Sequence, residues 1–550
     1  MGAPVGPRTG AAGCALLHRA QSGLCAGRRT GLPVRAGRLQ HETADAAPVP
    51  ERHEAMRGWA ILTAAAAAPA RRLDAALDAP AEAQQALLAE ILARNAGSMF
   101  GRRHGFAGID RIDAYRKAVP VCGYEDLRAD IDAMAGGADN RLVSDPVIAF
   151  ERTGGTASGG KLVPYTEPAL AGFRAAVLPW LHDLAARHPA ATGGRIYAAI
   201  SPATRVPERT PGGIPVGLES DAAYLGADLA PAFASLLAVS PETGLIPDVE
   251  TWRLKTLRQL LETAYLSFVS VWSPTFLLDL IEAIPAHAEP LAAALSPPAR
   301  RRLEAALSGS TADPVALWPK LAVISCWADG ASSAFARRLA ALCPQATIQP
   351  KGLMATEAAI TLPFGDGPGA VPALTSTVLE FRDSAGDLHL AGGLREGDAY
   401  DVLLTTAGGL YRYDIGDRVR CVAKAGMRER LAFIGRAGMV SDMVGEKLDE
   451  AFVAQVLDTL PVGAVLIART MPRPHYALRI DGPADARLAA SVEAGLLANP
   501  QYAHARRLGQ LGPLALVSDR GARARETADR IAAGQRLGDI KPALLRPAAT

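Results

Sequence analysis

The stretch FERTGGTASGGKLVPYT, residues 150–166, limits the possible folds more sharply than any other part of the chain. Gly155, Gly160 and Lys161 fit G-x-x-x-x-G-K, the skeleton of a phosphate-gripping loop. Leu162 follows, however, where that motif requires a Ser or Thr hydroxyl for Mg2+. The flanks differ as well. DPVIAF before the loop reads as a short strand, and KLVPYT after it reads as another. A Walker-type loop must open a helix whose N-terminus cradles phosphate, and Pro164 opposes an immediate helix. The arrangement is therefore strand–loop–strand, and a P-loop kinase is the poorest reading of it. Gly154, Gly155, Gly159 and Gly160 let backbone N–H groups approach an anion. Thr153, Thr156 and Ser158 add hydroxyls, and Lys161 adds a point charge. On these residues alone, a phosphate loop and a glycine-rich surface turn both stand.

The rest of the chain supplies the context. Residues 83–95, AQQALLAEILARN, carry Leu87, Leu88, Ile91 and Leu92 at helical spacing. A helix is expected after Cys122, closing at Gly136-Gly137, and another over PALAGFRAAVLPWLHDLAAR. From about 170 to 350, helices such as TWRLKTLRQLLETAYL alternate with short apolar strands, FVSVW and LAVISCW, which argues an α/β architecture. From Val371 to Val422 the segments turn extended and β-rich. After LAFIGRAGMVSDMVGEKLDE a smaller α+β part follows, with a boundary near Ala437-Gly438.

Residues 1–55 have no acid before Glu42 and scattered Arg, Gly and Pro, so they read as a disordered extension with Met56 as the working initiator. The expected division is thus 1–55 extension, 56–437 large domain and 438–550 small C-terminal domain.

A formal charge of +2, with 49% hydrophobic and 21% charged residues, points away from nucleic acid or an anionic membrane as the main partner. The six cysteines form no C-x-x-C pair and the ten histidines no H-E-x-x-H, which disfavours a disulfide framework, a zinc site and an acyl-cysteine route. No apolar run is long enough to span a bilayer, so a cytoplasmic protein is expected.

Two further clusters carry chemistry. In KGLMATEAAITLPF, Thr356-Glu357 follows a strand, and on its own the Glu reads as a solvated loop residue. In GLYRYDIGDRVRC, Asp417 follows a glycine turn between two strand-like runs. It can accept both hydroxyls of a ribose or merely cap the backbone.

Taken in order, these strings resemble the Gretchen Hagen 3 auxin-responsive family of acyl-acid amido synthetases, within the acyl-adenylate-forming enzymes. The resemblance runs from about Met56 to Leu545 and includes VWSPTFLL, SCWADG, FIGRAGMVSDMVGEKLDE, ANPQYAHARRLGQLGPL and GQRLGDIKPALL. It implies an adenylate-forming fold: a large N-terminal domain of helix-flanked sheets with a β-barrel-like part, and a small α+β C-terminal lid. It implies that a carboxylic acid attacks ATP to give acyl-AMP and pyrophosphate, and that an amine, typically of an amino acid, then takes the acyl group. Thr153 to Lys161 would hold the β- and γ-phosphates, with Thr356 near the adenine and α-phosphate. Glu357 would help bind Mg2+, and Asp417, aided by Arg436, would bind ribose. Lys447 matches a nucleotide-contacting lysine, and Lys541 and Lys447 are the candidate catalytic lysines, although the offset of Lys541 from Gln535 departs from plant relatives and leaves an ordinary surface lysine as its other reading. Ala157 and Gly154 also depart, standing where relatives often carry hydroxyls. Trp272, Phe276 and Trp327 are apolar enough to line an acyl pocket or to be plain core. Transfer to a thiol such as coenzyme A, or ATP binding without turnover, are the alternatives; a monomer or weak dimer is expected.

Overall fold

The apolar runs around Phe268 and Ile324 are the two central strands of a four-stranded parallel sheet, in the order Arg195–Ala198, Leu266–Ser270, Val323–Cys326, Thr347–Pro350. The computed structural model describes residues 49–153, 160–202, 208–218, 224–307, 311–436, 440–458, 460, 463–483 and 485–548. Side chains alternate across a strand, and the registers of this sheet display it. Ile196, Phe268 and Val323 form one row and pack under the helices Val49–Asp78 and Glu167–Arg187. Tyr197, Val269 and Ile324 form the next row and face a second core built by Val249–Glu262, Pro274–Ala283 and Ser333–Leu342. Strands covered on both faces read as continuous apolar runs, which is why these were legible. The helix Val249–Glu262 starts where Asp248 accepts a hydrogen bond from the Thr251 N–H at 2.8 Å, and it buries Trp252, Leu257, Leu260 and Leu261.

The β-rich region is a five-stranded antiparallel sheet, ordered Leu388–His389, Val378–Arg382, Ala399–Thr405, Tyr413–Ala425, Arg428–Arg436. Among the described residues its outer strand Arg428–Arg436 is met through the bridge Ala370 to Leu431 by the hairpin of Thr361–Leu362 and Val371–Pro372. A second small sheet carries the glycine loop, with Ala149–Arg152 antiparallel to Leu162–Tyr165 and parallel to Pro215–Val216.

The C-terminal part has its own core, in which Leu448, Val453, Leu466, Leu478, Leu496 and Leu545 are buried around the sheet Ala515–Ser518, His475–Ile480, Val465–Arg469, Leu545–Arg546. The expected boundary at Ala437-Gly438 lies outside the described residues. At the N-terminal end the first helix begins at Val49, seven residues before Met56. Ala55 is buried, Glu54 lies 3.6 Å from Arg195, and Arg52 stacks over Tyr265, so part of the segment read as an extension packs on the body.

Candidate functional site

The strands flanking the glycine loop end in a closed mouth. The Thr153 N–H donates to the Lys161 carbonyl at 2.9 Å, and the Lys161 N–H donates back to Thr153 Oγ1 at 3.1 Å. Gly160 completes the turn with φ +75°. A Cβ there would lie 2.6 Å from Arg152 Cγ and 2.7 Å from the Thr153 carbonyl, so only glycine fits. Gly154, Gly155, Thr156 and Ser158 lie outside the described residues. Beyond Lys161 the chain stays extended to Tyr165. Thr166 then caps a helix, its Oγ1 accepting from the Ala169 N–H at 3.3 Å. Leu162 is therefore a strand residue, its N–H donating to the Tyr124 hydroxyl at 3.0 Å.

Glu357 sits in the loop after the edge strand of the parallel sheet, held between the bridge partners Met354 and Ala359. The neighbouring Thr356 carbonyl accepts from the Tyr165 hydroxyl at 2.7 Å. Burial pushes the Glu357 carboxyl above the ordinary range and the charge of Asp417 adds to this, while Arg436 and Lys161 oppose it. Asp417 is buried within the strand Tyr413–Ala425, not at the turn the sequence suggests: Gly416 takes φ +76° and the strand runs through it. Its carboxyl is also raised by burial, against the pull of Arg436 and Lys541.

Lys541 reaches this place from the far end of the chain. Leu537 and Ile540 are buried in the core of the parallel sheet, and the Gly538 N–H donates to Ser201 Oγ at 3.1 Å. The exposed Lys541 ammonium then stands 5.1 Å over the Trp327 ring. Its charge and that of Arg436 are felt by Asp417 and by Glu450 alike.

Glu357 thus feels the charges of Asp417, Arg436 and Lys161, and Asp417 feels those of Arg436 and Lys541, so the two carboxylates link the five residues. Lys447 is not joined to them. It is exposed at φ +47° on the turn that Glu446 braces, and its ammonium makes no ion pair among the described residues. Trp272 and Trp327 are half-buried with ring centroids 6.0 Å apart. Phe276 is different: it is fully buried against Trp252, 5.7 Å between rings, and belongs to the core rather than to a pocket. Its helix turns that face onto the parallel sheet.

Sequence reasoning passed over Tyr413 and Tyr124. The Lys161 ammonium lies 3.4 Å from the Tyr413 oxygen and 5.3 Å above the Tyr124 ring. It also passed over a small, partly open cleft beside Glu357, lined by Tyr165, Phe173, Ser376, Thr377 and Thr406. Among the described residues no cluster of three His, Cys, Asp or Glu forms a metal cage. Mg2+ is commonly held by one or two carboxylates plus phosphate oxygens, and the part-exposed Glu357 fits that donor set.

Fold and site together define a mixed α/β protein in which Lys161 and a C-terminal lysine act on the carboxylates of Glu357 and Asp417. The GH3 family N-terminal domain model matches residues 69–297, and the GH3 family central domain model matches 380–436, together more than half of the chain. The chain belongs to the GH3 family.

Its fold is that of a solved GH3.15 acyl acid amido synthetase in complex with 2,4-DB, with TM-score 0.75 at 19% identity, covering 84% of this chain and 91% of that one. A probable indole-3-acetic acid-amido synthetase GH3.2 of Oryza sativa subsp. japonica is 42% identical over 89 residues, 16% of this chain and 14% of that protein. The indole-3-acetic acid-amido synthetase GH3.6 of Arabidopsis thaliana is 35% identical over 91 residues, 16% and 15% respectively. The matched stretch is thus a small fraction of these curated relatives' length.

Proposed function

We propose that this protein is an ATP-dependent acyl-acid amido synthetase, joining a carboxylic acid to an amine, typically of an amino acid, through an acyl-adenylate. The observation that carries the reading is the convergence of Lys161, Glu357, Asp417, Arg436 and Lys541, drawn from four distant parts of the sequence.

A carboxylate is a poor acylating agent, and the protein's task is to hold it in line with the α-phosphorus while neutralising charge. Lys161 and the glycine loop hold the β- and γ-phosphates. Asp417 accepts the ribose hydroxyls, with Arg436 keeping its carboxylate ionised. Thr356 lies at the adenine and α-phosphate. Lys541 meets the charge that develops at the α-phosphate and the acid's carboxylate. Mg2+, when bound at Glu357 and the phosphates, screens their charge. Lys447 is a second cation that the C-terminal part offers to the nucleotide. Trp272 and Trp327 offer ring faces to the acid. We place the reaction in the cytoplasm, as a monomer or weak dimer. Among the described residues, no helix is long and apolar enough to cross a membrane, and the described cysteines are unpaired.

Pyrophosphate release on adding a library of carboxylic acids, followed by mass analysis with mixed amino acids, tests the proposal. An amide product supports it. A thioester formed only with coenzyme A, or ATP binding with no release for any acid, overturns it.

A further inference from the structure

Arg412 has a backbone that side chains avoid, φ +47°. Its surroundings explain how it is kept. Its N–H donates to Thr405 Oγ1 at 2.9 Å, and its carbonyl accepts from the Cys122 N–H at 3.2 Å. Its guanidinium is buried: Nε donates to Glu380 Oε2 at 2.9 Å, and Nη1 donates to the Val119 and Arg116 carbonyls at 2.7 and 3.0 Å. Glu380, equally buried, takes a second guanidinium from Arg116, Nε to Oε1 at 2.7 Å. A buried pair whose other donors and acceptors are engaged in this way fixes its backbone firmly, because breaking it strands a charge.

The residue so fixed is the next one. Tyr413 is buried, and its phenol oxygen lies 3.4 Å from the Lys161 ammonium. The Tyr124 ring sits 5.3 Å from the same nitrogen, and the Tyr124 hydroxyl accepts from the Leu162 N–H. Burial, with the charge of Glu357 nearby, keeps Tyr413 a neutral phenol. We propose that Tyr413 is a positioning residue of the nucleotide site: seated on the Arg412–Glu380 pair, its hydroxyl holds the Lys161 ammonium at the mouth of the glycine loop, ready for the β- and γ-phosphates.

This rests on the reading of Lys161 as a phosphate ligand. A lysine stem already fixed has less rotamer freedom to lose on gripping phosphate. With one N–H given to the phenol, two remain for the ligand.

The test is calorimetric titration of ATP and AMP, without any acid substrate, into wild type, Tyr413→Phe, Lys161→Gln and the double variant. AMP lacks the two phosphates that Lys161 serves. Tyr413→Phe is expected to weaken ATP binding by about five- to tenfold and AMP binding by less than about twofold, the size of one lost charge-assisted hydrogen bond. Lys161→Gln should lose the same ATP-over-AMP preference, and adding Tyr413→Phe to it should change nothing further. Equal weakening of both nucleotides, unchanged ATP binding, or full additivity in the double variant overturns the proposal. Should Tyr413→Phe not fold, a wild-type ATP-over-AMP preference in Lys161→Gln overturns it equally. Because nothing turns over, a wild type that binds ATP but releases no pyrophosphate for any acid sinks the synthetase reading and leaves this test intact.

Discussion

Asp417 and Arg436 are opposite partners in the antiparallel pairing of two strands, and Arg436 Nε lies 2.9 Å from Asp417 Oδ1. The carboxylate is buried while the guanidinium is half-exposed. The pair therefore matters less as a surface ion pair, worth about 0–1 kcal/mol, than as the means of keeping a buried carboxyl ionised. Burial raises the Asp417 carboxyl, and Arg436 is the strongest influence opposing that rise. Removing Arg436 lets the carboxyl rise further, so it protonates at a higher pH. Arg436→Met is expected to shift the acid limb of ATP affinity upward, with a smaller loss at pH 8 than at pH 6. A pH series of ATP titrations measures this, and a uniform loss across the series would contradict it.

Glu357 predicts a stability effect of the opposite sign to its effect on activity. Its folded-state carboxyl is raised, first by burial and then by Asp417. A raised carboxyl binds its proton more tightly in the folded than in the unfolded chain, so above its folded pKa the ionised form opposes folding. The penalty disappears as pH falls below the unfolded value. Glu357→Gln should therefore raise the Tm of the ligand-free protein at pH 7 to 8, with the gain shrinking toward pH 4, while acid-dependent pyrophosphate release is lost. Thermal scans across pH read this directly. A Tm lowered at neutral pH would mean that the carboxylate is held by partners rather than strained.

Phe276→Ala should cost about 3–5 kcal/mol, as large-to-small changes in well-packed cores do, because the ring is fully buried against Trp252. Half-buried Trp272 has less packing to lose, and its change to Ala should alter which acids are accepted more than it alters denaturation midpoints. Urea unfolding of both variants, beside an acid panel, separates the two. Equal midpoints would undo the distinction.

The contrast between these aromatics marks the limit of the sequence. A strand–loop–strand glycine motif was legible because Leu162 lacks the hydroxyl a Walker loop needs and Pro164 opposes its helix. The parallel strands were legible because both faces are covered. Which way Phe276 faces was not, since an apolar ring suits pocket and core equally. Gly416 looked like a turn residue, yet its φ of +76° is absorbed within a continuous strand. Arg412 left no signal at all: a positive φ at arginine has no sequence signature, and its partner Glu380 lies 32 positions away. The extension was drawn as far as residue 55 because Gly, Pro and Arg there mimic a tail, whereas the first helix begins at Val49 and Ala55 is buried.

Lys541 and Lys447 should separate in function as they do in space. Lys541 stands over Trp327 with its charge felt at Asp417, while Lys447 is exposed and joined to neither carboxylate. Lys541→Ala is expected to lower acid-dependent ATP–pyrophosphate exchange by well over tenfold, within the range one positioned charge contributes. Its Tm should barely move, since the exposed cation–π contact contributes about 0.5–1 kcal/mol. Lys447→Ala should reduce exchange far less. An unchanged rate in Lys541→Ala would remove that lysine from the mechanism.

Gly160→Ala isolates the loop mouth from every charged group. The added methyl meets Arg152 Cγ at 2.6 Å and the Thr153 carbonyl at 2.7 Å, and the backbone sits at φ +75°. The arginine stem can swing aside, but the carbonyl cannot, because the Thr153 and Lys161 backbones are bonded to each other across the turn. The left-handed conformation alone opposes an L side chain by roughly 1–2 kcal/mol. The strain is relieved most easily by opening the Thr153–Lys161 pair, which frees the lysine from its place beside Tyr413. ATP affinity should therefore fall more than tenfold while the Tm drops only a few degrees, and AMP affinity should change little. Titration of both nucleotides decides it. A variant that binds ATP like wild type would mean that the mouth of the loop does not govern where Lys161 stands.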